Sequence, residues 1–306
     1  MAAIQQVRPF ELFSEQEWRA LTHRSSWRGI WMVAHAWALI IGASALVHFF
    51  PNPLTWLLAV MIVGARQLGL AILMHEAAHG TLHPNTKVNA FLGEWACGVP
   101  VGADLALYRP YHLKHHRFTQ QDEDPDLGLS APFPIPRASL RRKILRDLTG
   151  RTFYKQRVAP LLRGVAGGNA FIGETGRARR RFLAATTIIF LLYAACGAPL
   201  CFFTVWLLAF ATWLPLVTRL RNIAEHACTS RADDPYSIAR TTCANWLERL
   251  LIAPYFVHYH AEHHLFIAVP CYRLPGLHRH LAARGLTQRM HLAPSYAAVL
   301  REVAPA

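Results

Sequence analysis

The chain has 306 residues, is 53% hydrophobic and only 16% charged, and carries a formal net charge of +14. Soluble domains are about one quarter charged, so the basic excess is not read as the face of a soluble nucleic-acid-binding fold; on a membrane protein it falls on cytoplasmic loops facing anionic lipid. The six cysteines, Cys97, Cys196, Cys201, Cys228, Cys243 and Cys271, are scattered with no CxxC pair, which argues against a disulfide framework and against a Cys-ligated metal site.

From the N-terminus onward, no short apolar stretch with a cleavage site is seen, so no removable signal peptide is expected. Ser14-Glu15-Gln16-Glu17 reads as a capping box opening a short helix. Residues 30–50 and 54–74 are apolar, about 20 residues each, and joined by Pro51-Asn52-Pro53. Each is long enough to cross a hydrocarbon core of roughly 30 Å as a helix. Residues 88–103 are apolar but too short and too rich in Gly and Pro to cross, and read as a partly embedded or interfacial helix. Leu140, Ile144, Leu145 and Leu148 share one helical face with Arg137, Arg141, Arg142, Lys143 and Arg146 around the rest. That pattern suits either a helix lying on an anionic membrane surface or a basic helix packed on the protein. Residues 150–180 show little periodicity and read as a connector. Two more apolar runs, 182–199 and 201–218, break at Gly197-Ala198-Pro199. Together they would make one helix of roughly 55 Å, too long for a single span, so two spans with a tight turn are expected.

The turns near 51–53 and 198–200 contain no Lys or Arg. By the positive-inside rule both termini and the long middle loop are expected in the cytoplasm. The expected fold is an all-α integral membrane protein with four transmembrane helices in two hairpins and a cytoplasmic helical cap. Its parts are an arm (1–29), a first hairpin (30–74), a cytoplasmic loop (75–181), a second hairpin (182–218) and a C-terminal cytoplasmic segment (219–306).

The 17 histidines are the anomaly of the composition, and most fall into a pattern. Where the second apolar run ends, the chain reads His75-Glu-Ala-Ala-His79, an i, i+4 pair on one helical face that can reach one metal. His112-Leu-Lys-His115-His116 follows, and His260-Ala-Glu-His263-His264 lies near the C-terminus. Each HxxHH sets its outer histidines one helical turn apart with the middle one close by. Asn222-Ile-Ala-Glu-His226 lies just beyond the last apolar run, mirroring His75 beyond the second. Nine histidines and an asparagine are too many for one four-coordinate ion. Two metals with four or five nitrogen ligands each use the whole set. Neutral imidazole suits iron and leaves positions open for dioxygen.

These four motifs, with this spacing and these apolar pairs, resemble the membrane fatty acid desaturase family, which includes related hydroxylases and ketolases. The likeness covers about residues 50–280. It implies two irons held by His75, His79, His112, His115, His116, His226, His260, His263 and His264, with Asn222 near one iron, directly or through water. The stretch His116 to Asp126 and the ending His264-Leu-Phe are also similar to members of this family. No fused cytochrome b5 motif is visible, so electrons are expected from a separate ferredoxin or cytochrome b5 type carrier. The implied activity is desaturation of a fatty acyl or lipid-like chain, or hydroxylation or ketone formation on a lipid, carotenoid or small amphiphile. A metal transporter would instead place its ligands near the membrane midplane, and here they lie at or beyond the helix ends.

Several neighbours fall outside the motif. Glu76, Glu225 and Glu262 sit inside boxes, where a carboxylate can accept the distal N–H of a ligating imidazole; solvated glutamates are the alternative. Asp122, Asp124 and Asp126 either orient the second box or form a polar turn around Pro125. His83 and His258 flank boxes off their spacing, as outer partners or surface residues. His35 and His48 lie in the first span, as packing or lipid-interface residues. Arg66, beside Gln67, lies inside the second span, where a charge is costly and usually faces a cavity or partner. It is therefore a candidate for the substrate cavity, with snorkelling as the other reading.

Overall fold

The computed structural model describes residues 4, 6–162, 176–230 and 233–305. Part of the expected 150–180 connector, residues 163–175, lies outside the described residues. Helix α1 (Glu15–Thr22) opens on the Ser14 capping box, with both reciprocal bonds to Glu17 formed. Helices α2 (Arg28–Phe49) and α3 (Pro53–His79) pack against one another across the turn at Asn52. Asn52 caps α3 through Leu54 and Thr55, Pro53 supplies the first helical position, and Gly80 at φ 73° ends it. Left-handed backbone at that stop is what glycine tolerates without a Cβ clash.

Helix α3 is the axis of the molecule. Around it stand α2, α4 (Leu105–Phe118), α7 (Pro199–His226) and a π-helical stretch at Leu92–Gly98. Close approach depends on small residues, as in other membrane bundles. A Cβ at Gly93 would lie 2.2 Å from the Ala77 Cβ, and one at Gly64 would lie 2.7 Å from the Trp213 Cβ. Away from this axis, α2 exposes Trp31, Ile41 and Phe49 and α6 (Gly176–Ala195) exposes Ile188, Leu191 and Leu192. Apolar exposure of this extent suits lipid, not water.

Three helices are long and apolar enough to cross a membrane among the described residues: α2, α3 and α7. The expected fourth span corresponds to α6, which begins with Arg177, Arg179, Arg180 and Arg181 and turns apolar only at 182. A further apolar pair, Thr86–Val101 and α4, bends by 93° between its halves, in the region where an interfacial helix was expected. Helix α5 (Arg137–Leu148) packs on α7, burying Leu140 and Asp147 and leaving Leu145 and Leu148 exposed. Buried Asp147 is bound by Arg219 of α7 and by Thr152.

The fold is mostly helical, and the all-α expectation needs one correction. Strand β1 (Arg240–Thr242) pairs in parallel with β2 (His291–Ala293), Thr241 lying opposite Leu292. Three-residue strands give no readable period, and only the β-branched Thr241-Thr242 hinted at one. The pair ties the C-terminal segment to α8 (His260–Leu265), since Thr241 also bridges to Tyr259 and accepts the Ala261 N–H. Helices α9 (Leu274–Ala283) and α10 (Tyr296–Val303) pack around it.

Candidate metal centre

Four helix segments carry the nine motif histidines. His75 and His79 end α3, His112, His115 and His116 lie on α4, His226 ends α7, and His260, His263 and His264 are on α8. The structure sorts them into two groups. His75, His79, His112, His116 and His263 offer ligand atoms all within 4.8 Å of one another, and His115, His226, His260 and His264 do the same. Each HxxHH is therefore divided. The outer pair of the second box joins the first group and its middle histidine joins the second; the third box does the reverse. One helical turn separates each outer pair, and the middle side chain lies about 60° from the first and about 100° from the third, on the other flank, so each of these two helices serves both groups.

The distances fit a metal ion in each group. Within the first, Nε2 atoms of His79 and His112 are 3.0 Å apart, of His112 and His116 2.9 Å, and of His116 and His263 3.1 Å. In the second, His226 and His260 are separated by 2.9 Å and His260 and His264 by 3.0 Å. Two nitrogens at right angles on one ion, each about 2.1 Å from it, stand about 3 Å apart.

The second group shows why an ion, not a hydrogen bond, belongs between these nitrogens. His115 Nδ1 faces Asp124 Oδ1 at 2.8 Å and His226 Nδ1 faces the Ile238 carbonyl at 3.1 Å. His260 Nδ1 faces Glu225 Oε1 at 3.3 Å and His264 Nδ1 the Thr119 hydroxyl at 3.3 Å. Each outer nitrogen thus holds its proton toward an acceptor, which leaves four Nε2 lone pairs turned on one another. A cation resolves that arrangement. In the first group the buried His75 Nε2, His79 Nδ1 and His116 Nδ1 have no hydrogen-bond partner. On α8, burial first, and then neighbouring imidazoles, hold His260, His263 and His264 well below the usual histidine range. They stand neutral at pH 7, with lone pairs available for metal.

The remaining candidates are placed as follows. Asn222 is half-buried and lines a cavity with Arg221, Glu225, His115, His226 and His260. Glu225 faces His260, and Glu76 lies 3.6 Å from His75 Nδ1 while accepting from Thr81 and the Cys271 N–H. Glu262 departs from the expectation: it faces Thr241 and His278 of α9, not a box imidazole. Its odd position in HxxHH turns it to the back of α8, where it anchors the helix. Asp124 also accepts the Gln120 and Asp126 N–H groups, and Asp126 accepts the Tyr111 hydroxyl, while Asp122 is exposed.

His83 and His258 join neither group; His83 Nδ1 accepts the Asn85 N–H, and His258 is buried beside Tyr259. His35 meets the Tyr255 hydroxyl and His48 packs on Phe49. Arg66, the candidate for the substrate cavity, is buried within α3. Its guanidinium donates to the Arg249 and Leu250 carbonyls at 3.2 and 2.6 Å and lies over the Tyr255 ring. Those carbonyls close the helix Trp246–Leu251, a partly negative end that attracts a cation. Thr119, the Ile238 carbonyl and Tyr108, whose ring stacks on His112 at 5.1 Å, are partners that spacing could not reveal.

Apolar helices long enough to cross a membrane thus end in two convergent imidazole groups, each able to hold a metal ion. The chain belongs to the fatty acid desaturase family, whose model matches residues 51–295. It is thus an oxidoreductase of a family known for di-iron, histidine-box sites. A dihydrorhizobitoxine desaturase of Bradyrhizobium elkanii is 25% identical over 233 residues, 72% of this chain but 66% of that protein, just under two thirds of its length. A beta-carotene ketolase of Paracoccus sp. (strain PC1) is 27% identical over 250 residues, 80% of this chain and 86% of that protein.

Proposed function

We propose that this protein is an oxygen-dependent di-iron membrane desaturase that introduces a double bond into a fatty acyl or lipid-like chain. The division of each HxxHH between two convergent imidazole groups carries the reading. One iron would be held by His75, His79, His112, His116 and His263, and the other by His115, His226, His260 and His264 with Asn222 beside it. Bound there, the irons supply with dioxygen the oxidising power that breaking an unactivated C–H bond demands and no side chain has. The chain's own residues do the rest. Asp124, Glu225, Thr119 and the Ile238 carbonyl fix the imidazole tautomers, Tyr108 braces the His112 ring, and burial keeps bulk water away.

A second reading, hydroxylation or ketone formation, is favoured by the likeness to a named ketolase over 86% of that protein's length. Product mass spectrometry after expression with lipid extract separates the two. Loss of two hydrogens is expected; gain of oxygen in the product would replace desaturation by the second reading.

In the proposed topology 30–74 and 182–218 form two hairpins of four spans, and the arm 1–29, the loop 75–181 and the segment 219–306 lie in the cytoplasm. The positions of lysine and arginine support it. Reporter fusions after Asn52 are expected to read outside, and those near 130 and at the C-terminus inside. A 75–181 loop that reads outside would contradict the arrangement.

Electrons are proposed to come from a separate acidic carrier of ferredoxin or cytochrome b5 type, drawn to the basic face. Attraction between opposite fields is screened by salt. Donor-dependent turnover is therefore expected to fall between about 10 and 300 mM salt, and a flat response would remove this role for the charge.

A further inference from the structure

We infer that the groove between α2 and α6 holds one anionic phospholipid, its tail along α6 and its phosphate on Arg180. Helix α6 meets α7 through rings, Phe182 with Phe210 and both Phe190 and Tyr193 with Phe202. Two polar ties fasten its other flank. Near the start of the helix Arg181 binds Glu94 and lies 4.7 Å over the Trp95 ring; near its end the Tyr193 hydroxyl meets Ser44 of α2 at 2.7 Å. Between the ties lies a cavity of about 600 Å³. Arg180, Ala184, Ile188 and Leu192, spaced one helical turn apart, run along its α6 wall, a stripe of roughly 18 Å. Trp37 stands opposite, held in place by stacking on Trp206 at 5.8 Å and by donating to the Ala96 carbonyl at 2.9 Å. The gap is therefore built into the packing.

Its walls select the occupant. Beyond the two arginines the lining is apolar and gives water few partners, whereas an acyl chain loses nothing there. None of the nine motif histidines lines the groove, which sets the occupant apart from the substrate. One end is basic. Arg181 is spent on Glu94, but Arg180 is exposed and meets no acceptor among the described residues. A guanidinium fork matches phosphate oxygens, and basic pockets between spans take anionic head groups. Trp95, 48% exposed, stands at that same end, as indoles do at the membrane–water boundary. In the proposed topology that boundary is the cytoplasmic one, where anionic lipid is found. A zwitterionic head would bring its own cation toward Arg180, so the charge of the groove favours a head that is anionic overall.

Dioleoyl phosphatidylglycerol and phosphatidylcholine with the same chains serve as probes, titrated onto the purified chain in detergent and counted on the intact protein by native mass spectrometry. The first phosphatidylglycerol is expected to bind about tenfold more tightly than phosphatidylcholine, in keeping with one charged hydrogen-bonded pair. Arg180→Gln should erase that preference while phosphatidylcholine binds as before. Arg142→Gln, at an exposed arginine of α5 outside the groove, should keep it. Ala184→Trp, which fills the groove, should weaken both lipids, and glycerol 3-phosphate, a head without a tail, should not compete at matched concentration. Equal affinity for the two lipids in the wild-type chain would overturn the assignment. So would a preference that survives Arg180→Gln or falls equally in Arg142→Gln, since the charge of the whole chain would then explain it. Phosphatidylglycerol binding untouched by Ala184→Trp, or competition by glycerol 3-phosphate, would also overturn it by removing the tail from the site. None of these readouts uses turnover or iron, so failure of the di-iron reading leaves them unaffected.

Discussion

His115→Ala is expected to empty the second imidazole group, lowering bound iron from about two per chain to about one, and to abolish turnover. His115 is one of only four histidines there, so its loss leaves three imidazoles. His263→Ala acts on the group of five, and four imidazoles remain. Iron retention should therefore be higher in His263→Ala, yet activity should be lost as well, since the proposed di-iron oxidation draws on both centres. Both side chains are buried, and Leu or Ile of larger volume would confuse ligand loss with overpacking; alanine avoids that. Iron assay and turnover on the same preparations check the pair. Two irons and normal rates in His115→Ala would remove that residue from the ligand set.

Asp124→Asn is expected to weaken metal at the same group by about 10- to 100-fold, the usual cost of losing an outer partner of a ligating histidine. Asp124 is buried and does three things: it faces His115 Nδ1 and accepts the N–H groups of Gln120 and Asp126. An amide has one acceptor oxygen where the carboxylate has two, so at least one of those bonds fails. If the amide turns its NH2 toward the ring, His115 must move its proton to Nε2, the position the metal needs free. Chelator competition reads the change directly. Half of the iron should leave at lower chelator concentration in Asp124→Asn, with the other half unchanged. A single unshifted release curve would show that Asp124 shapes the turn alone.

Much of this centre was legible because histidine spacing on a helix translates directly into a shared face. HEAAH, the two HxxHH boxes and His226 brought in all nine imidazoles that converge. Which metal each would serve was not legible, since the division depends on how α4 and α8 face each other. Outer partners were half legible. Asp124 and Glu225 lie in or near boxes, whereas Thr119 and the Ile238 carbonyl reach their histidines through loop geometry. Glu262 shows the limit of proximity in sequence: within its box, the helix turns it away from the metal side. Arg66 shows another limit. A charge inside an apolar run signals a partner, and here the partner is a helix end 183 positions away in sequence, which no local pattern encodes. The fourth span was blurred by the arginines that begin α6, and the β1–β2 pair was too short to give a period.

The claim underlying all of this is that two separate imidazole groups each hold one iron. Metal quantification on active, purified chain tests it most directly. The expected result is close to two irons per chain, with turnover rising in proportion to iron restored after chelation. Stoichiometric zinc in a fully active preparation that lacks iron would contradict it.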